Sequence, residues 1–301
     1  MLPEGFSHLV ELAIEDWDWD KLPRTDNEIW DALIYPIFLG ATVRSAQATY
    51  IKGVLWSLLE FEAVRAVPND PIWSSRALEI INAKLESIEG TAGEGLKRAI
   101  LHIAASEIKS LDLSRTIGTA LQFFDVVPIN VETIISLQDD YARTLDLVDL
   151  ATRFIHKVGY VKGVLWFYSC GIARDLVPPN AHVTRFLYEC GYPGFGWSRE
   201  PVPDWQVFTP ACNCMRDVAR LVGTELNQTV TPKQAQLAVW YLQACRGLLP
   251  AGYRRQFTPL ELIDFLNNQR WSIQHLGNRL DDVEQLESLT SDLKAFFNLL
   301  H

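Results

Sequence analysis

Apolar side chains recur at three- and four-residue steps along nearly the whole chain, while the every-second-residue alternation of a half-buried strand is almost absent. Such a chain buries its apolar stripes by packing helix on helix, so the fold class expected is all-α. A first amphipathic stretch carries Leu9, Leu12 and Ala13, and Asp26 or Asn27 offers a cap for a second with Ile29, Leu33 and Ile34. The longest apolar pattern runs over about 45–64, through Ala46, Tyr50, Val54, Leu55, Leu58 and Leu59, and reads as a central helix ended by Pro68-Asn69-Asp70-Pro71. Further helical patterns cover about 73–88, 95–110, 114–124, 131–137, 143–156, 160–173, 181–190, 212–222, 232–247, 258–267 and 280–299. Gly90-Thr91-Ala92-Gly93-Glu94-Gly95 reads as a turn, and 191–211, with Pro193, Gly194, Gly196, Pro201 and Pro203, as the longest irregular segment.

The 301 residues lie near the upper limit of one hydrophobic core, which leaves one large domain or two lobes open. The net charge of −10, from 27 Lys and Arg against 37 Asp and Glu, argues against broad electrostatic attachment to nucleic acid and leaves room for a local basic patch. No apolar run reaches the ~18 residues of a membrane span, and Met1-Leu2-Pro3-Glu4-Gly5 lacks a basic signal start, so no membrane contact and a cytoplasmic location are expected. Cys170, Cys190, Cys212, Cys214 and Cys245 are irregularly spaced and match no metal pattern, so no metal and no cofactor are expected. Ten Trp supply core packing first, and flat stacking surface second.

Chemistry concentrates in Phe154-Ile155-His156-Lys157-Val158-Gly159-Tyr160-Val161-Lys162 and, further on, Pro178-Pro179-Asn180-Ala181-His182-Val183-Thr184-Arg185. A helix ends near His156, the chain turns at Gly159, and a second apolar helix follows. After it a Pro-Pro turn presents Asn180 at the start of another. Tight turns and helix starts expose backbone N–H groups that hold phosphate oxygens without net positive charge, which suits an acidic DNA binder.

These residues resemble the helix-hairpin-helix DNA glycosylase superfamily, which includes endonuclease III and the oxoguanine and adenine glycosylases. The family hairpin L-P-G-V-G-x-K is matched by Lys157-Val158-Gly159, and the P-V-D-T-H-V-x-R segment roughly twenty residues on by Pro178 to Arg185. Ser45-Ala46-Gln47-Ala48-Thr49 is similar to the family's S-A-Q-A-T helix start, whose glutamine enters the DNA stack beside a flipped base. Gly95-Leu96-Lys97-Arg98-Ala99-Ile100 is a weaker match to a further family helix. The resemblance covers about 30–190. It implies two helical lobes with a cleft between them: a six-helix barrel-like lobe over 30–175, with the hairpin at about 147–174, and a second lobe from 1–29 plus 176–301.

Carried over residue by residue, the resemblance makes Lys162 and Asn180 the catalytic candidates and Gln47, Lys157, Gly159, His182 and Trp197 the candidates for DNA or base contact. Bifunctional members place a nucleophilic lysine on the second hairpin helix. Counting back from Asn180 selects Lys162, whereas counting forward from Gly159 selects Val161, a difference of one residue or ~100° of rotation. The family Asp of P-V-D-T-H, which stabilises charge on the sugar, is Asn180 here, an amide that neither accepts a proton near pH 7 nor carries full negative charge. The first hairpin Gly is Lys157, which loses conformational freedom in the turn. Trp205 is a second stacking candidate, and Asp175 and Asp204 are nearby carboxylates. No Cys follows Cys245, so the iron–sulfur cluster of some members is not expected.

The implied activity is that of a DNA N-glycosylase that flips a damaged or modified base out of a duplex and cleaves its N-glycosidic bond, with an AP-lyase step where Lys162 is the nucleophile. DNA is the partner implied. Two alternatives stay open: a hydrolase of a free modified nucleoside or nucleotide, and a non-catalytic module of the same fold that binds DNA or a protein partner.

Overall fold

A computed structural model describes residues 1–16, 21–39, 45–66, 73–88, 94–195 and 204–298. Among them every regular element is a helix. In chain order these are α1 (Phe6–Asp16), α2 (Asp26–Phe38), α3 (Ser45–Leu59), α4 (Phe61–Ala66), α5 (Trp73–Ser87) and α6 (Glu94–Leu111). There follow α7 (Leu113–Val126), α8 (Val131–Ser136), α9 (Tyr141–Phe154), α10 (Tyr160–Ser169), α11 (Ala181–Glu189) and α12 (Asp204–Leu226). The last are α13 (Pro232–Leu248), α14 (Ala251–Arg254), α15 (Pro259–Gln269), α16 (Ile273–Leu280) and α17 (Val283–Phe296). The all-α expectation holds, and no described helix is long and apolar enough to cross a membrane.

Local chemistry sets many of the boundaries. Thr231 and Thr258 open α13 and α15 with capping boxes, each hydroxyl accepting from the backbone of Gln234 or Glu261 while that side chain reaches back, and a proline follows at the first helical position. Asp112, Asn130, Asp140 and Asn180 cap α7, α8, α9 and α11 through side-chain oxygens. The cap of α2 is Thr25 and neither Asp26 nor Asn27; those two lie inside the first turn, where the Asp26 carboxylate favours the helix dipole.

Three expected boundaries shift. The 45–64 pattern breaks at Glu60 into α3 and α4, because Phe61 and Val64 turn inward on a separate short helix. The segment expected to be irregular to residue 211 becomes helical from Asp204, with Pro210 tolerated inside α12. The final 280–299 pattern becomes α17, which starts only at Val283, and the preceding α16, over Ile273–Leu280, has no counterpart among the expected patterns. The expected Pro68 to Pro71 stop and the 90–93 part of the glycine-rich turn lie outside the described residues.

The chain divides into two compact units. One comprises 22–172 with 281–283, and so holds α2 to α10. Its core is aromatic and pinned by indole hydrogen bonds: Trp30 Nε1 donates to the Leu59 carbonyl at 2.7 Å, and Trp166 Nε1 to the Ile29 carbonyl at 2.9 Å. Phe124 and Phe167 stack on the Trp166 ring at centroid distances of 5.7 and 4.5 Å. α2 is thereby held to α3 on one side and to α10 on the other, which positions the hairpin described below.

The other unit comprises 1–21, 173–280 and 284–301. α1 packs on α12 and α13, burying Phe6, Leu9 and Val10, and Phe6 meets Phe186 of α11 at 4.7 Å. Cys170, Cys190, Cys212 and Cys245 are buried in the two cores, and burial pushes the thiols of Cys190 and Cys212 up to about 11 and that of Cys245 to about 12.

Candidate functional site

The hairpin is built by α9, a five-residue turn at 155–159, and α10. Ile155 and Val158 point into the core and anchor the turn, while the Val158 N–H donates to the Ile155 carbonyl at 3.2 Å. The two helices approach closely at Gly163, where an added Cβ lies 3.5 Å from a Val148 methyl and 3.6 Å from a Thr152 methyl. Tyr160 donates its hydroxyl proton to Asp149 at 2.7 Å, and the His156 N–H donates to the Thr119 hydroxyl at 2.9 Å, tying the turn to α9 and α7.

Lys157 sits at φ 59°, the left-handed region, and is exposed. The backbone therefore adopts at this position the conformation that glycine takes at least cost, and a lysine bears the Cβ strain. Gly159 is the N-cap of α10 at φ −94° and contributes no side-chain cap.

Lys162 lies in the first turn of α10, half-buried, and its ammonium donates to the Ile37 carbonyl in the last turn of α2 at 2.8 Å. The side chain therefore runs inward between α10 and α2. The amine pKa is lowered to about 8, chiefly by burial, with Glu107 opposing and Lys157 adding to the fall. An ordinary surface lysine is almost entirely protonated at pH 7, whereas an amine with a pKa of about 8 is neutral in roughly a tenth of molecules.

Gln47 is half-buried in the first turn of α3, within the same unit as the hairpin. Beside it, Ser45 hydrogen-bonds both the Tyr35 hydroxyl, at 2.6 Å, and the Asp281 carboxylate. Burial raises the pKa values of Tyr35 and Asp281, the Asp281 charge raises that of Tyr35 further, and the hydrogen bonds of Ser45 oppose at both. Sequence reasoning missed this cluster, because Asp281 reads as one more acid on the wet face of a terminal helix.

Asn180 and His182 stand on α11 in the other unit. The Asn180 side-chain Oδ1 accepts from the backbone N–H groups of His182 at 3.1 Å and Val183 at 3.0 Å, so it holds the start of its own helix. His182 is half-buried in the first turn. Trp197 lies outside the described residues, as does the side chain of Asp204. Trp205 is 64% exposed on α12, and Asp175 is exposed. Among the described residues no group of His, Cys, Asp and Glu could hold a metal ion.

The hairpin thus brings together Lys157, Gly159 and Lys162, with Gln47 elsewhere in the same unit, and leaves Asn180 and His182 on the other. Compared with known protein families, with curated proteins and with solved structures, the chain matches none.

Proposed function

We propose that the protein is a nucleobase-releasing enzyme of the helix-hairpin-helix glycosylase type, acting on a damaged or modified base in DNA with Lys162 as its nucleophile. The observation that supports this reading is the Lys162 amine: partly desolvated, lowered to about 8, and carried by the first turn of the second hairpin helix. Desolvation is a recognised way to prepare a lysine for attack on an electrophilic carbon.

In this mechanism the neutral Lys162 amine attacks the anomeric carbon of the sugar with its lone pair. The bond from that carbon to the base nitrogen breaks, its electron pair leaves with the base, and water protonates the base. The new secondary ammonium loses a proton, the ring bond to O4′ opens, and O4′ takes a proton, leaving a protonated Schiff base on Lys162. Gln47 fills the gap left by the flipped nucleotide. Backbone N–H groups at the hairpin hold phosphate oxygens, so that binding does not require a basic surface overall.

A second reading, a module that binds DNA without cleaving it, is favoured by Asn180. Its side-chain oxygen already accepts two backbone N–H groups, and no carboxylate at this position offers full negative charge to a developing oxocarbenium ion.

The test is borohydride trapping combined with mass-spectrometric detection of released bases, over duplexes carrying damaged and naturally modified bases and over the corresponding free nucleosides. A covalent adduct and a released base with the wild type, both lost in Lys162→Gln, uphold the enzyme reading. Duplex binding with no base release from any substrate replaces it with the binding module. Release from free nucleosides alone moves the substrate out of DNA.

A further inference from the structure

Tyr35 on α2, Ser45 at the first position of α3, and Asp281, all within one unit, form a continuous hydrogen-bond chain. Ser45 has one hydroxyl hydrogen and gives it to the Asp281 carboxylate, so the Tyr35 hydroxyl, 2.6 Å away, is the donor to the Ser45 oxygen. All three residues are half-buried, and so partly desolvated without being sealed from solvent.

The plain role of such a chain is to tie α2, α3 and residues 281–283 together. A carboxylate is a poor choice for that role. Among the described residues its partner is a neutral hydroxyl and no cation pairs with it, and one such hydrogen bond offsets less than the removal of a carboxylate from water costs. An asparagine oxygen accepts the same bond without the charge. What a carboxylate adds, and an amide does not, is the capacity to take a proton, and burial raises the affinity of Asp281 for one. The proton held against it is that of Ser45, and the start of α3 favours negative charge developing beside the serine oxygen.

We propose that Ser45 is the nucleophile, and Asp281 its general base, of an esterase site separate from the Lys162 chemistry, which takes a carboxylic ester with an apolar acyl chain. A nucleophile hydrogen-bonded to its base, with a third group fixing the pair, is the arrangement that covalent catalysis needs. The acyl chain has a place to lie. Thr49 and Gly53 follow Ser45 at intervals of four residues on α3, and a groove of about 730 Å³ between α3 and α5 opens there, lined by Thr49, Gly53, Val54, Ile80 and Ala83. A Cβ added at Gly53 meets nothing within 4 Å, so the groove is open at its α3 side. The Ser45 oxygen attacks the ester carbonyl carbon with a lone pair while its proton passes to Asp281. The tetrahedral intermediate expels the alcohol oxygen with the bonding pair, that oxygen takes the proton from Asp281, and the acyl group stays on Ser45. Water then attacks the acyl carbon and gives a proton to Asp281, and the Ser45 oxygen leaves with its electron pair and recovers that proton, so that ester and water become acid and alcohol.

The experiment uses the whole chain, wild type beside Ser45→Ala, Asp281→Asn and Tyr35→Phe, with a fluorophosphonate probe and the p-nitrophenyl esters of acetic and octanoic acid. In the wild type, peptide mapping finds the probe on Ser45 as a phosphonate ester formed with loss of fluoride. Ser45→Ala and Asp281→Asn each lower kcat/KM for the esters by about 100-fold. Tyr35→Phe, which removes the donor that holds the serine oxygen, lowers kcat about tenfold with KM unchanged. The octanoyl ester has a kcat/KM about tenfold above that of the acetyl ester, and equal values overturn the place given to the acyl chain. A wild type that takes no probe on Ser45, or that hydrolyses both esters no faster than Ser45→Ala, overturns the proposal. Probe mapping on the wild type needs no variant, and Asp281→Asn keeps an acceptor for Ser45, so the test stays valid where Ser45→Ala fails to fold. No arm reads base release or the Lys162 amine, so failure here is separable from failure of the glycosylase reading.

Discussion

The ammonium of Lys162 is held 2.8 Å from the main-chain carbonyl of Ile37, so the charge of the second hairpin helix is spent on the end of α2 and not on solvent. Attack by this amine needs its neutral form. With a pKa of about 8, the rate of Schiff-base formation should rise about tenfold per pH unit up to pH 8 and level off above it, as read by borohydride-trapped adduct against pH. The same shift has a stability signature. The folded pKa lies below the unfolded 10.5, so the unfolded chain binds more protons between about 8 and 10.5, and stability should rise with pH across that window. Lys162→Met should flatten the rise in chemical denaturation curves taken from pH 7 to 10.5.

Lys157 occupies a left-handed backbone position in the hairpin turn at φ 59°. Lys157→Gly should therefore stabilise the protein by about 0.5–1 kcal/mol, the Cβ strain relieved being partly offset by the greater freedom of glycine in the unfolded chain. A urea midpoint that moves down would show that the turn is not under this strain.

Asn180 caps α11 through two backbone hydrogen bonds. Asn180→Ala should cost about 1 kcal/mol, whereas Asn180→Asp should keep the cap and add a favourable charge at the helix start. If the glycosylase chemistry is limited by the missing carboxylate, Asn180→Asp also speeds base release, which the mass-spectrometric assay reads directly.

Trp166 is fully buried and bonds the Ile29 carbonyl at 2.9 Å. Trp166→Ala should cost about 3–5 kcal/mol, with Trp166→Phe at roughly half of that because it retains most of the ring packing and loses the N–H donor. Thermal melts of both variants check the order.

Asp281 is half-buried and desolvation raises its pKa, so its ionised form is disfavoured by folding. The contribution is fully present below its ordinary value of 3.8 and is lost as pH rises through the folded pKa. Asp281→Asn keeps an acceptor for Ser45 without the buried charge, and should melt no lower than wild type at pH 7, while losing that advantage in acid.

Most of the helices were legible because their cause is local. The ranges read for 73–88, 131–137, 181–190 and 232–247 coincide with α5, α8, α11 and α13 to within a residue or so, since apolar spacing and capping residues both lie within a few positions of the boundary. The misread places are those where a neighbour decides. Thr25 outcompetes Asp26 as a cap through the path of the incoming chain, and α12 runs back to Asp204 although Pro210 argues against it.

The candidate site divides along the same line. Lys157, Gly159, Lys162 and Asn180 stood out by residue type and spacing in the chain. The inward path of the Lys162 side chain depends on α2, whose partner carbonyl, Ile37, is 125 positions away. The pairing of Ser45 with Asp281 spans 236 positions, and that of Arg246 with Glu189 spans 57. By itself the sequence determined an all-helical chain and where many of its helices begin, because those follow from hydrogen bonds and apolar periodicity within a few residues. Which charges are buried, which carbonyl holds the lysine and which arginine pairs with Glu189 were decided only by tertiary packing, because desolvation and long-range pairing act between residues that the sequence keeps far apart.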